Sequence, residues 1–204
     1  MTDGLTDEMT DMFTRFKERG FDGGQIESHI KHLLRFLGDD PDRSGLKETP
    51  RRVIDSWLEM TSGNRTDPRQ FLKFFEDDEP TDEMVIIENL PVWSNCEHHL
   101  LPFFGSASIA YIPTNKVLGL SKFARIVDAF SRRLQVQERL TKQIADFLDE
   151  HLNAQGVGVI LCCRHLCMES RGVKSPQSRT LTSSLSGKIR TDPTVRHEFL
   201  NLKK

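Results

Sequence analysis

Five side chains able to bind a soft or borderline metal fall in two short clusters, Cys96-Glu97-His98-His99 and His165-Leu166-Cys167. Thiolates and imidazoles suit zinc, and a catalytic zinc takes three protein ligands while keeping a position open for water. One cysteine from each cluster with one histidine makes such a set. A zinc of this kind brings the pKa of its water to about 7. Histidines not spent on ligation titrate near neutral pH and can move protons. Spacing alone leaves open which histidines are spare. The same side chains also fit a closed structural zinc, although the paired CxxC spacing of zinc ribbons is absent.

The elements around the clusters follow from periodicity. The first cluster lies just after an apolar strand, Met84–Ile87. The second ends a Val- and Leu-rich strand beginning at Gly156, and alternation along it puts His165 and Cys167 on one face, with Cys163. A strand over Phe104–Ile112 alternates small and apolar residues, and Thr180–Ser186 reads as another. Helical spacing marks Gln25–Leu37, a helix opened by Thr49-Pro50, Ser121–Arg132 and Gln137–Leu152. Phe71–Phe75 reads as a short helix-like piece, Asp7–Arg19 as a weak amphipathic helix or arm. Asp192-Pro193 caps a last helix ending near Leu202. Adjacent strand pairs with helices between them predict an α+β arrangement of antiparallel hairpins. The expected division is a helical segment over 1–80 and a catalytic domain over 81–204.

Composition narrows the class. The chain has 204 residues, 37% hydrophobic and 28% charged, which suits a water-soluble domain with a core. No apolar run approaches the roughly 20 residues that span a bilayer. Residues 1–21 lack the apolar stretch of a secretory signal, so the expectation is a cytoplasmic protein without a membrane partner. A formal net charge of -2 lacks the basic excess of a nucleic-acid binder, and no nucleic-acid partner is expected. In a reducing compartment the cysteines read as ligands or free thiols rather than disulfides.

Four motifs stand in order: Cys96-Glu97-His98-His99, Gly119-Leu120-Ser121-Lys122, Gln135-Val136-Gln137-Glu138-Arg139-Leu140-Thr141, and His165-Leu166-Cys167-Met168 with Arg171-Gly172. With the closing Arg196-His197-Glu198-Phe199-Leu200, they make the chain from about Thr49 onward resemble GTP cyclohydrolase I. The resemblance implies the tunnelling fold: an antiparallel four-stranded sheet with helices on one face, preceded by N-terminal helices. It implies Zn2+ on Cys96, His99 and Cys167, with His98 and His165 moving protons and Ser121 assisting at the ribose. It implies that Glu138 anchors the guanine of GTP with Gln137 beside it, and that Lys122, Arg125 and Arg171 meet the triphosphate. Arg52 matches a basic position that a neighbouring subunit supplies. The implied assembly is a homo-oligomer, a decamer of two pentamers, with active sites at subunit interfaces.

Two departures stand out. Asn95 replaces the Met or Thr common before the cysteine, and Cys162-Cys163-Arg164 puts thiols before His165. Cys163 reads first as a buried small apolar side chain, with a spare metal ligand or an oxidation-sensitive thiol as the alternatives. Two rival readings are another tunnelling-fold pterin or deazaguanine enzyme and a zinc-stabilised binding module. The first would use a cysteine nucleophile or a mainly histidine zinc site. The second has no use for Glu138 or spare histidines.

Overall fold

The structure is a computed structural model, and it describes residues 22–76 and 83–201. The helix or arm expected over Asp7–Arg19 lies outside the described residues. The chain divides into two compact units, residues 1–59 and 60–204. In the first, α1 (Gly23–Phe36) is capped by Asp22, whose carboxylate accepts from the Gly24 N–H at 3.0 Å. The second helix, α2 (Thr49–Met60), follows.

The second unit runs β1 (Phe74–Glu76), β2 (Val85–Cys96), β3 (Pro102–Ile112), β4 (Lys116–Leu118), α3 (Leu120–Ser131), β5 (Leu134–Gln135) and α4 (Gln137–Leu152). It continues with β6 (Gly156–His165), a helical turn α5 (Leu166–Glu169), β7 (Thr180–Leu185), α6 (Gly187–Thr191) and α7 (Pro193–Asn201). Strands β2, β3, β6 and β7 form the expected antiparallel sheet, and two-residue β5 adds a parallel edge beside the end of β2. Strands β1 and β4 make a separate antiparallel pair.

Helices α3 and α4 cover one face. Phe123, Ile126 and Val127 of α3 and Leu140, Ile144 and Leu148 of α4 recur at helical spacing and are fully buried against Val92, Phe103, Ile109 and Leu161. Each such side chain contributes roughly 1.5–3 kcal/mol by leaving water. The other face is partly covered too: Ile189 of α6 and Phe199 of α7 pack on Ala110, Ile112 and Ile160. Glycine at 158 makes room for this, because a Cβ there would lie 2.7 Å from the Phe199 ring. Asp192 opens α7 as expected, its carboxylate accepting from the Thr194 N–H at 2.8 Å.

Three expectations need correction. Phe71–Phe75 is not helical throughout: a 3-10 turn, Pro68–Phe71, gives way to β1, because Phe74 and Phe75 pair with Leu118 and Val117. The strand before the first cluster runs well past Ile87 to Cys96, and Glu97, His98 and His99 follow it in a turn. Pairing of Asn95 with Pro102 and of Cys96 with Gln135 carries β2 through polar Ser94-Asn95. At the second cluster the strand stops at His165 and α5 begins, so Cys167 sits on a helical turn rather than on the alternating face.

A bulge sets the face that Cys96 takes. The β2–β3 register pairs Ile87 with Ile109 but Leu90 with Ala107, one residue out of step. Asn89 takes the left-handed conformation there, φ 57°. Before the bulge, Val85 and Ile87 face the main core; after it, Leu90, Val92 and Cys96 do. The added residue thus reverses the parity of the strand. Cys96 thereby comes to the α4 side of the sheet, where Cys163 also packs.

Candidate active site

The hairpin between β2 and β3 holds the first cluster. Cys96 N–H bonds to Leu101 O at 2.8 Å and Leu100 N–H to Cys96 O at 2.8 Å, closing a short turn with Leu100 at φ 56°. Across the sheet, Phe103 pairs with His165 and the two rings stack with centroids 4.7 Å apart. Gly105 lets β3 and β6 approach, since a Cβ there would lie 2.0 Å from Cys162 O. The Arg164 guanidinium braces α5, donating from Nε to Glu169 Oε1 at 2.8 Å, and so holds the turn that carries Cys167.

These supports bring Cys96, His99 and Cys167 together. Their ligand atoms all lie within 4.8 Å of one another. Cys96 Sγ is 3.7 Å from His99 Nδ1. Tetrahedral zinc with bonds of about 2.3 Å to sulfur and about 2.0–2.1 Å to nitrogen needs about 3.6 Å between such atoms. Burial and the neighbouring Cys96 push the Cys167 thiol up. A cation between the two sulfurs relieves that opposition, so the donor set fits a thiophilic divalent metal. His98 stands outside this trio. Its Nδ1 is 3.8 Å from Cys96 Sγ, and its ring is exposed.

His165 is held from behind. Gln137 is 1% exposed, and its Nε2 donates to Leu161 O at 3.2 Å and Thr180 O at 2.9 Å. Those carbonyls only accept, so the amide Oε1 must face His165, and the 2.8 Å contact is donated by His165 Nε2–H. Burial lowers the His165 pKa, opposed by the carboxylates of Glu138 and Glu169. Gln137, expected beside Glu138 at the base, has its amide engaged by these carbonyls and by this ring. Glu138, next along α4, is exposed on the His165 side, and Arg171 lies close enough to act on Cys167.

Ser121, Lys122 and Arg125 are elsewhere in the second unit. Phe123 stacks on Tyr111 at 5.4 Å, whereas His165 stacks on Phe103. Phe103 and Tyr111 stand at opposite ends of β3, about 26 Å apart at ~3.3 Å per residue. Ser121 and Lys122, in the first turn of α3 beside Phe123, are thus at the far end of the sheet from His165, and Arg125 is one turn on. Arg52 is an exposed residue of α2 in the first unit. Cys163 is buried in the main core, Cys162 is half-buried, and neither forms a disulfide.

Residues 26–204 match the model of the family GTP cyclohydrolase I. The chain belongs to the GTP cyclohydrolase I family. Its relatives include the GTP cyclohydrolase 1 of Janthinobacterium sp. (strain Marseille), 53% identical over 84% of this chain and 87% of the relative. That of Nitrosospira multiformis is 52% identical over 84% and 91%. That of Leptospira biflexa is 49% identical over 87% and 97%. Family membership makes the chain an enzyme and leaves the binding-module reading without support.

Sequence reasoning missed three participants. Arg139 pairs with Glu97 in two arms and holds that carboxyl below its usual range. Gln135 accepts from Arg139 Nε at 3.1 Å. The spacing of Gln135 and Arg139, four apart across the junction of β5 and α4, was a readable signal. The Glu97–Arg139 pair, distant in sequence, was not.

Proposed function

We propose that the chain hydrolyses GTP in the GTP cyclohydrolase I reaction. The guanine imidazole ring opens, formate leaves, and the ribose is rebuilt into 7,8-dihydroneopterin triphosphate, the opening step of pterin and folate synthesis. The observation that carries this reading is the Cys96/His99/Cys167 grouping with His165 beside it. The metal is Zn2+, and when bound it supplies the Lewis acidity that makes hydroxide available near neutral pH.

The chain's own groups do the rest. His165, its Nε2–H tied to Gln137, is left with Nδ1 to exchange a proton with the purine N7. His98, exposed and close to Cys96, is the second proton carrier, at the ribose stage. The Glu138 carboxylate accepts from guanine N1–H and the exocyclic amine, which adenine cannot match, and an unpaired carboxylate penalises ATP. Arg171 meets the triphosphate.

Ser121, Lys122 and Arg125 serve the same reaction from another copy, and Arg52 from a third. What supports an interface site is the separation of about 26 Å between the ends of β3, which no side chain bridges. The assembly is a decamer of two pentamers. Apart from Arg52, all these residues fall in 81–204, the stretch we take as catalytic. The ligand thiols must stay reduced, which suits a cytoplasmic enzyme.

The test is incubation with GTP, with and without a zinc chelator. Formate release with a pterin that fluoresces after oxidation, lost on chelation, is expected. Zinc-independent turnover, or turnover of ATP but not GTP, overturns the reading.

A further inference from the structure

Arg139 has no part in the chemistry above, yet it ties the turn that carries Cys96 and His99 to the start of the next elements. Its guanidinium grips both carboxylate oxygens of Glu97, with NH1 3.4 Å from Oε1 and NH2 closer still on Oε2. Glu97 stands between the ligands Cys96 and His99. The other Glu97 flank faces His98, whose Nε2 is 4.0 Å from Oε1.

The grip is anchored in the core. Arg139 Nε donates to Gln135 Oε1 at 3.1 Å. Gln135 is 2% exposed, and its amide donates to Phe130 O at 3.0 Å and Gln143 Oε1 at 2.8 Å. The Gln135 backbone carbonyl also accepts from Glu97 N–H at 3.1 Å. The turn is closed by its own backbone bonds, but its side chains have little packing to fix them: Glu97, His98, His99 and Leu100 are all exposed, and Leu100 is left-handed.

We propose that Arg139 is a positioning residue for the metal. Acting through Glu97, it fixes the turn so that Cys96 and His99 meet Cys167 with their ligand atoms already gathered. This rests on the reading of that trio as the metal site. An exposed Arg–carboxylate pair adds little to global stability, so its effect belongs in metal affinity rather than in unfolding. Partners of this kind commonly change metal affinity by about 10–100-fold.

The experiment measures zinc dissociation constants of the full-length protein by competition with a chromophoric chelator. The proteins are the unaltered chain, Arg139→Ala, Arg139→Lys, Glu97→Gln, and Glu97→Gln combined with Arg139→Ala. Each of Arg139→Ala and Glu97→Gln is expected to weaken zinc about 10–100-fold. The double variant is expected to be no weaker than the worse single, Arg139→Lys to recover part of the loss, and the metal-free thermal midpoint to stay put. Single variants within twofold of the unaltered chain, or losses that multiply in the double variant, overturn the inference. So does a loss matched by a falling metal-free midpoint. If the unaltered chain binds no zinc, the metal reading falls and takes this inference with it; tight binding unaffected by the variants removes this inference alone.

Discussion

At the Cys96–His165 end of the sheet, polar side chains are tied to one another. Gln137 is spent on two carbonyls and a histidine, Arg139 on Glu97 and Gln135, Arg164 on Glu169. At the Tyr111–Phe123 end, Ser121 and Arg125 project from α3 into solvent. The buried Gln135 and Gln137 amides among these ties are expensive to leave half paired, and each finds its partners within the one chain. Exposed hydroxyl and guanidinium groups are cheap to keep and gain value only when something anionic is brought to them. On the interface reading proposed above, the contrast is that of one half-site prepared in advance and another awaiting a neighbour.

The sharpest way to break the contrast is to remove a ligand. Cys167→Ala is expected to abolish bound zinc, measured by elemental analysis, and to lower kcat/KM by at least about 10⁴-fold. Retained zinc would mean that the trio is not the metal centre.

Next comes a mixing experiment. His165→Ala alone and Ser121→Ala with Lys122→Ala are each expected to be nearly inactive. Dissociating and reassociating them together should restore roughly a quarter of normal activity, because random pairing gives one intact site in four. Equal inactivity after mixing would place both halves in one chain.

Gln137→Ala is expected to cost about 10–100-fold in kcat with little change in KM. It should also cost about 1–3 kcal/mol of stability, since the Leu161 and Thr180 carbonyls lose their donor. A rise in KM alone would return Gln137 to the base.

At the far end, Arg125→Ala should raise KM for GTP about tenfold and leave zinc content unchanged. Away from both ends, Lys142→Ala removes an exposed pair to Asp146, 2.7 Å long, and should shift stability by under about 0.5 kcal/mol. A larger shift there would undo the premise that only wired charges matter.

The same division explains what could be read from the sequence. The long helices α3 and α4 and strand β6 declare themselves by spacing, because one face of each is continuously buried. The end of β2 does not, since Ser94 and Asn95 owe their extension to hydrogen bonds from β3 and β5 rather than to apolar pattern. Strands β1, β4 and β5 run two or three residues, too short for any period. In the site, the side chains able to hold a metal were legible by type. The Gln137 amide and the Glu97–Arg139 pair were not, because each joins segments remote in sequence.

The bulge at Asn89 gives β2 an arithmetic of its own. A strand can be lengthened or shortened by two residues and still present the same edge to its neighbours. Removing Asn89 alone would leave every amino acid of the first motif unchanged in identity and turn Cys96 toward the wrong side of the sheet. Here the chain tolerates change in kind more readily than change in count. An aligned family that varies freely in the residues at 88 and 89 should still keep their number.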